Sequence, residues 1–235
     1  HLVYSINPQV HASDYHSLVE TIEAVPATIE TARSFTDKAE VHISPVTFKM
    51  RWNPNATGEE AREVTTGVDL RQMSLFGAGW TLGCIQQMVT EGLSHVTFFE
   101  SVGMKGVIQS DEPLASDFFP AEPNTWYPLA LVFWWLNTQS GDQLRPLSES
   151  SSHEMTGLAD EQGALLASFS DQSRSVALPS EFVGGTAYVL NINNLEEWRR
   201  CARVENWLDP LADIKVGETL DIPGNALIIL KKNRR

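Results

Sequence analysis

The chain has 235 residues, 42% of them hydrophobic and 20% charged, with a formal net charge of −13. That composition is ordinary for a soluble globular protein of one large or two small domains. The acidic balance counts against nucleic acid or an anionic membrane as partner, because both would repel it. The most apolar stretch, Tyr127 to Leu136, is about half the ~20 residues that a spanning helix needs.

In chain order, Leu2-Val3-Tyr4-Ser5-Ile6 reads as a buried strand closed by the turn formers Asn7-Pro8. A helix follows from Ser13 or Asp14, with Leu18, Ile22 and Val25 at helical spacing and a kink or break expected at Pro26. The second strand is expected over Glu40 to Phe48, and the polar stretch Lys49 to Thr66 reads as a long loop. Asp69 then caps a predicted amphipathic helix with Leu70, Met73, Phe76, Trp80, Cys84 and Met88 on one face. Gly77, Gly79 and Gly83 weaken that helix by about 1 kcal/mol each relative to Ala, so close approach to a sheet is expected there. The third strand is His95 to Phe99, and Trp126 to Asn137 reads as a short apolar helix.

Strands separated by helices, with long loops after the strands, imply a parallel sheet. Three parallel strands have two open edges, whereas barrel closure needs about eight. No Gly-rich phosphate turn follows the first strand, which argues against a dinucleotide-binding sheet. The expected fold is therefore α/β: residues 1–137 form the last three strand–helix units of a (β/α)8 barrel, cut from something longer. Residues 138–154 read as a linker. Residues 155–235 read as a small all-β, sandwich-like domain with strands at Ala164–Phe169, Ser175–Leu178, Thr186–Ile192 and Ala226–Leu230, and one helix over Leu195 to Trp207. Cys84 and Cys201 show no metal-ligand spacing and read as two buried free thiols of a reducing, cytoplasmic protein.

In a barrel, residues just past each strand's carboxyl end face a common pocket. Glu100 and His11 are the candidate catalytic groups on that rule, the first as a carboxylate that apolar Val96 to Phe99 should desolvate for acid–base work. The second is an imidazole suited to the same task. Asn7, Gln9, Thr47, Arg51 and Asn53 are the candidate substrate-binding groups: uncharged hydrogen-bonding side chains and one guanidinium that can hold a carboxylate. His42 and His95, at the wrong end of their strands, read as structural. Trp52 and Trp126 fit core or lid packing better than sugar stacking. No metal ligand set and no cofactor are expected.

Four segments at these same positions resemble the bacterial D-apionate lactonases. They are Ser5-Ile6-Asn7-Pro8-Gln9-Val10-His11-Ala12; Ile43 to Thr47 with Arg51 to Thr57; Arg71-Gln72 with Ala78-Gly79-Trp80-Thr81; and Ser94 to Gly103. The resemblance covers residues 2 to 137 well and the β-domain weakly. It implies a glycosidase-like barrel with β-rich flanking domains that hydrolyses the lactone of a branched sugar acid, preceded in the family by a long amino-terminal part. The partners it implies are a sugar lactone and the missing half of the barrel. The alternatives are a barrel glycoside hydrolase and a non-catalytic carbohydrate-binding fragment. Against the first, many similar glycosidases carry a nucleophilic Glu after the penultimate strand, where this chain has Ser44-Pro45-Val46-Thr47. For the second, Tyr188, Trp198 and Trp207 are the aromatics that could form a sugar platform.

Overall fold

The computed structural model describes residues 1–51, 57, 67–112, 122–141, 143–147, 153–202 and 206–233. Three strands, β1 (Leu2–Ile6), β2 (Val41–Val46) and β3 (His95–Phe98), form a parallel sheet in that order. Tyr4 pairs with Ile43, and Ile43 with Val96. Side chains alternate along a strand, so Tyr4, Ile6, Ile43, Val46 and Phe98 pack into the core. Val3, Ser5, His42, Ser44 and His95 stay exposed or half-buried. Both outer strands end the sheet, as three strands must.

Helix α1 (Tyr15–Ser34) starts at Asp14, whose carboxylate accepts from Ser17 N at 2.9 Å. The break expected at Pro26 does not occur. Val25 and Ile29 on either side of it are both anchored in the core, which holds the two halves in one 20-residue helix. Asp69 caps only a 3-10 turn, Leu70–Met73. The long helix α2 (Leu75–Thr90) begins afresh at Ser74, whose hydroxyl accepts from Gly77 N. Nor is α2 amphipathic: every residue from Leu75 to Ile85 is buried, the mark of a helix enclosed on all sides.

Helix α1 covers one side of α2, with Trp80 Nε1 donating to Leu18 O and Ile22 packed on Gly83, and the second half of the chain covers the other. Helix α3 (Leu129–Thr138) starts three residues later than the pattern indicates, because Trp126 is drawn into a bridge with Ile108. Then comes a six-stranded antiparallel sheet ordered β4-β5-β6-β11-β8-β9, and a separate ribbon of β7 with β10. Its strands are β4 (Arg145–Pro146), β5 (Met155–Ala159), β6 (Gly163–Ser168), β7 (Arg174–Ala177), β8 (Thr186–Leu190), β9 (Ala212–Lys215), β10 (Thr219–Ile222) and β11 (Leu227–Lys231). Helix α4 (Leu195–Cys201) follows β8. Within 138–154, the segment read as a linker, β4 pairs with β5 and Leu147 is buried.

The central strands bury both faces by strict alternation. Leu165 and Ala167 of β6, with Leu227 and Ile229 of β11, join the core shared with α1 and α2. Ala164, Leu166, Ile228 and Leu230 face the other way, into a second core closed by Leu220 and Ile222 of the ribbon. Of the three α2 glycines only Gly79 approaches a sheet, and it is the second one; Gly77 packs on the backbone of Arg71 and Gln72, and Gly83 on Ile22 of α1. A Cβ on Gly79 would meet Ala167 Cβ at 3.2 Å and Phe169 Cε1 at 3.1 Å. Gln86 adds a polar tie from α2, accepting from Thr156 Oγ1 at 2.6 Å and Gly157 N at 2.7 Å.

Cys84 is buried, but Cys201 is exposed, because it closes α4 on the solvent side. Trp198 and Trp207 are no sugar platform: they are 0% and 4% exposed. Trp207 packs among Trp198, Trp126 and Trp134 with ring centroids 5.1–5.9 Å away. No helix among the described residues is long and apolar enough to cross a membrane.

Candidate functional site at the carboxyl ends of the parallel strands

Parallel pairing brings the ends of β1, β2 and β3 to one edge. Thr47 N donates to Ile6 O at 3.0 Å and Phe99 N to Val46 O at 3.1 Å, so the three exits are stitched together. Phe99 has φ of 51°, a left-handed conformation that a bulky residue adopts at a cost of about 1–2 kcal/mol. It turns the chain sharply before Glu100. The loop then folds back, with Glu100 N donating to Lys105 O at 3.0 Å.

The result is a charged triplet. Arg51 Nη2 lies 3.0 Å from Glu100 Oε1, and Lys105 Nζ lies 3.6 Å from the same oxygen. The apolar enclosure expected around Glu100 is absent: its side chain is 41% exposed, because the turn at Phe99 carries it out of the strand's environment. Lys105 escaped sequence reasoning. Only a register within the 101–106 turn places it there, and nothing in the spacing announces that.

The groups after β1 divide into two uses. Asn7 Oδ1 accepts from Gln9 N at 3.2 Å, closing the turn. Gln9 Nε2 donates to Phe48 O at 2.8 Å and to Asp69 Oδ2 at 2.9 Å, so both amide protons serve the scaffold and only its carbonyl oxygen is left for a ligand. Thr47 is 8% exposed. His11 is exposed and, with Asn7, Glu20 and Trp80, lines a 580 Å3 groove between the end of β1 and α1. Among the described residues His11 makes no hydrogen bond or ion pair. The intervening β2 separates β1 from β3 by two strand spacings, about 10 Å, so His11 and Glu100 share an edge without touching. Asn53 lies outside the described residues, as does Trp52.

Asp69 holds this floor together. It accepts from Arg71 Nε at 2.9 Å and Nη2 at 2.6 Å as well as from Gln9. Burial pushes its carboxyl up, but the hydrogen bonds from Arg71 and Gln9 outweigh that and hold it below the ordinary carboxylate value. Deeper in, Tyr127 donates to Gln109 Oε1, and burial pushes its phenol up to about 12. No group of three metal-ligating side chains converges at this edge among the described residues; one does at the opposite end of the sheet.

Residues 1–141 match the model of the D-apionate lactonase TIM barrel domain. The chain belongs to this family. The match spans the three parallel strands, both long helices and α3, so the mixed α/β fold is that of a TIM-barrel domain. Among curated proteins none matches the chain. Solved structures similar to it include the α-L-arabinofuranosidase of Thermotoga maritima, with TM-score 0.53 and 12% identity over 97% of this chain and 51% of that one. AbfB of Bifidobacterium longum, a family 51 α-L-arabinofuranosidase, gives 0.55 and 9% over 98% and 52%. A conserved exported protein of Bacteroides fragilis gives 0.52 and 10% over 97% and 45%. At such identities the likeness is one of fold. The chain spans about half the length of each of these structures.

Proposed function

We propose that the strand-end edge is part of the active site of a sugar-acid lactone hydrolase. The observation that carries this reading is the placement of Glu100, Arg51 and Lys105 at one strand exit of a D-apionate lactonase barrel domain. Glu100 takes a proton from water, and the hydroxide adds to the ring carbonyl carbon. The negative charge on the carbonyl oxygen falls to the cationic donors Arg51 and Lys105. Collapse of the tetrahedral adduct breaks the ring C–O bond, and the proton held by Glu100 passes to the departing alkoxide. The product is an open hydroxy acid. His11 and Asn7, about 10 Å away by the strand spacing, suit the far side of the substrate, its hydroxyl groups.

This pocket is proposed to be completed by further strand–helix units. Val3 on the open edge strand is 56% exposed and Phe35 at the end of α1 is 75% exposed. Between β1 and α1 runs a mostly apolar groove of 540 Å3 lined by Leu2, Tyr4, Ile6 and Phe35. A parallel strand and its helix would cover all of these.

The competing reading is a glycosidase, favoured by the arabinofuranosidase likeness and opposed by the lack of a carboxylate in Ser44-Pro45-Val46-Thr47. One assay separates them. The 235-residue chain and the product of its whole reading frame are offered aldonolactones of branched and unbranched pentoses, followed by acid release, and aryl α-L-arabinofuranosides, followed by phenol release. Acid release without phenol release is expected. Phenol release without acid release would overturn the lactonase reading.

A further inference from the structure

We propose that His1, Glu40 and His42 form a binding site for a divalent transition-metal ion of the zinc class, at the amino-terminal end of the parallel sheet. Glu40 and His42 are two residues apart on an extended chain, so their side chains share a face. His1 reaches them across the β1–β2 gap, which the bond from Leu2 N to Glu40 O at 2.8 Å fixes.

The two distances to Glu40 are those of a coordination shell. His1 Nδ1 is 3.2 Å and His42 Nε2 is 3.4 Å from Glu40 Oε2. Ligand atoms held about 2.0–2.1 Å from a tetrahedral zinc stand about 3.3–3.4 Å from one another. All three donor atoms lie within 4.8 Å. His42 Nε2 is buried and, though within ion-pair range of Glu40, has no hydrogen-bond partner. That lone pair gains a partner when an ion sits between the three side chains.

The His42 ring is also held in place beforehand. It lies between the rings of His1, at 4.5 Å, and His95, at 4.3 Å. His95 is itself anchored by Ser94 Oγ, 3.0 Å from its Nδ1. Two imidazoles and a carboxylate suit zinc, cobalt or nickel rather than calcium or magnesium, which take oxygen ligands. The site lies at the other end of the strands from Glu100. It acts as a clip that ties the open edge strand β1 to β2 and leaves a fourth position for water.

Zinc binding is measured by titration calorimetry and thermal melting on the 235-residue chain with its amino terminus acetylated, which removes the α-amino group as a ligand. Stoichiometric binding of one zinc ion is expected, with a rise in Tm that EDTA reverses and that magnesium does not reproduce. His42→Gln and Glu40→Gln should each weaken binding about tenfold or more. His1→Gln, on a side chain 62% exposed at the chain end, should do the same without disturbing the fold, and decides the matter if the other two unfold. His16→Gln, in the first turn of α1 and paired with Glu20, should bind as the parent does. Absence of stoichiometric binding, or binding unchanged by His1→Gln, would overturn the site.

Discussion

Arg51 and Glu100, separated by the whole of α2 in sequence, meet at 3.0 Å where the loop after β2 crosses the end of β3. Both side chains are 41% exposed, and a pair so open to water is worth about 0–1 kcal/mol of stability. Its value lies in holding a carboxylate and a guanidinium side by side. Glu100→Gln is therefore expected to change stability by less than about 1 kcal/mol, yet to lower kcat for lactone opening by about 10²–10⁴-fold. Chemical denaturation and a pH-stat assay on the same preparation check both halves. Turnover that survives the substitution would remove Glu100 from the mechanism.

Asp69 gives the opposite balance, a stability effect with a definite pH sign. Its carboxyl is held below the ordinary value of 3.8, burial opposing and the bonds from Arg71 and Gln9 prevailing. A depressed folded value contributes stability that is fully present above the unfolded pKa and is lost as pH falls through the folded one. Asp69→Asn should cost about 1–3 kcal/mol near neutrality, and the gap to the parent should narrow as pH drops below the ordinary value. Melting curves from pH 7 downward test this. A gap that widens in acid would contradict the assignment.

The cysteines should react as their positions dictate. Cys84 lies fully inside α2, where burial pushes its thiol far up, whereas Cys201 is exposed. Thiolate is the reactive form. One thiol per chain should be titrated by a disulfide reagent in buffer and two in denaturant. Mass mapping should place the first label on Cys201.

The parallel strands were legible because their apolar runs are short, contiguous and bounded by turn residues, as in Leu2 to Ile6. Asp14 was legible as a cap because a cap is a local bond. What stayed hidden depends on partners far along the chain. The one-faced pattern seen in Leu70 to Met88 describes six positions, but Ala78, Leu82 and Ile85 are buried too, because α1, α3 and the second sheet all close on α2. Strand β5 (Met155–Ala159) carries no alternation in its sequence because it is buried at every position. At the site, the strand-end rule located Glu100 and Arg51. It could not foresee the left-handed turn at Phe99 that exposes Glu100, nor the return that brings in Lys105.

Gly79 is a point of close approach between α2 and the second sheet. Replacing it by Leu gains about 1 kcal/mol of helix propensity, but its Cβ alone would stand 3.1–3.2 Å from Phe169 and Ala167. Overpacking of that kind costs about 1–3 kcal/mol. Gly79→Leu should be net destabilising, read as a lower denaturation midpoint with an unchanged slope. A stabilised variant would show that the contact can give.

The same interface predicts how the β-rich part behaves alone. Leu158, Leu165, Ala167, Leu227 and Ile229 are buried in the core shared with α1 and α2, and cutting the chain before residue 155 uncovers them in one patch. The three leucines and Ile229, newly wetted at about 1.5–3 kcal/mol each, are comparable with the whole stability of a domain, about 5–15 kcal/mol. Gln86 would also be lost as the acceptor for Thr156 and Gly157. Residues 155–235 expressed separately should be insoluble or bind hydrophobic dyes, and should show no cooperative melting. A cooperatively folded fragment that binds sugars would instead make this part a carbohydrate-binding module, with its working surface elsewhere than Trp198 and Trp207, which are buried.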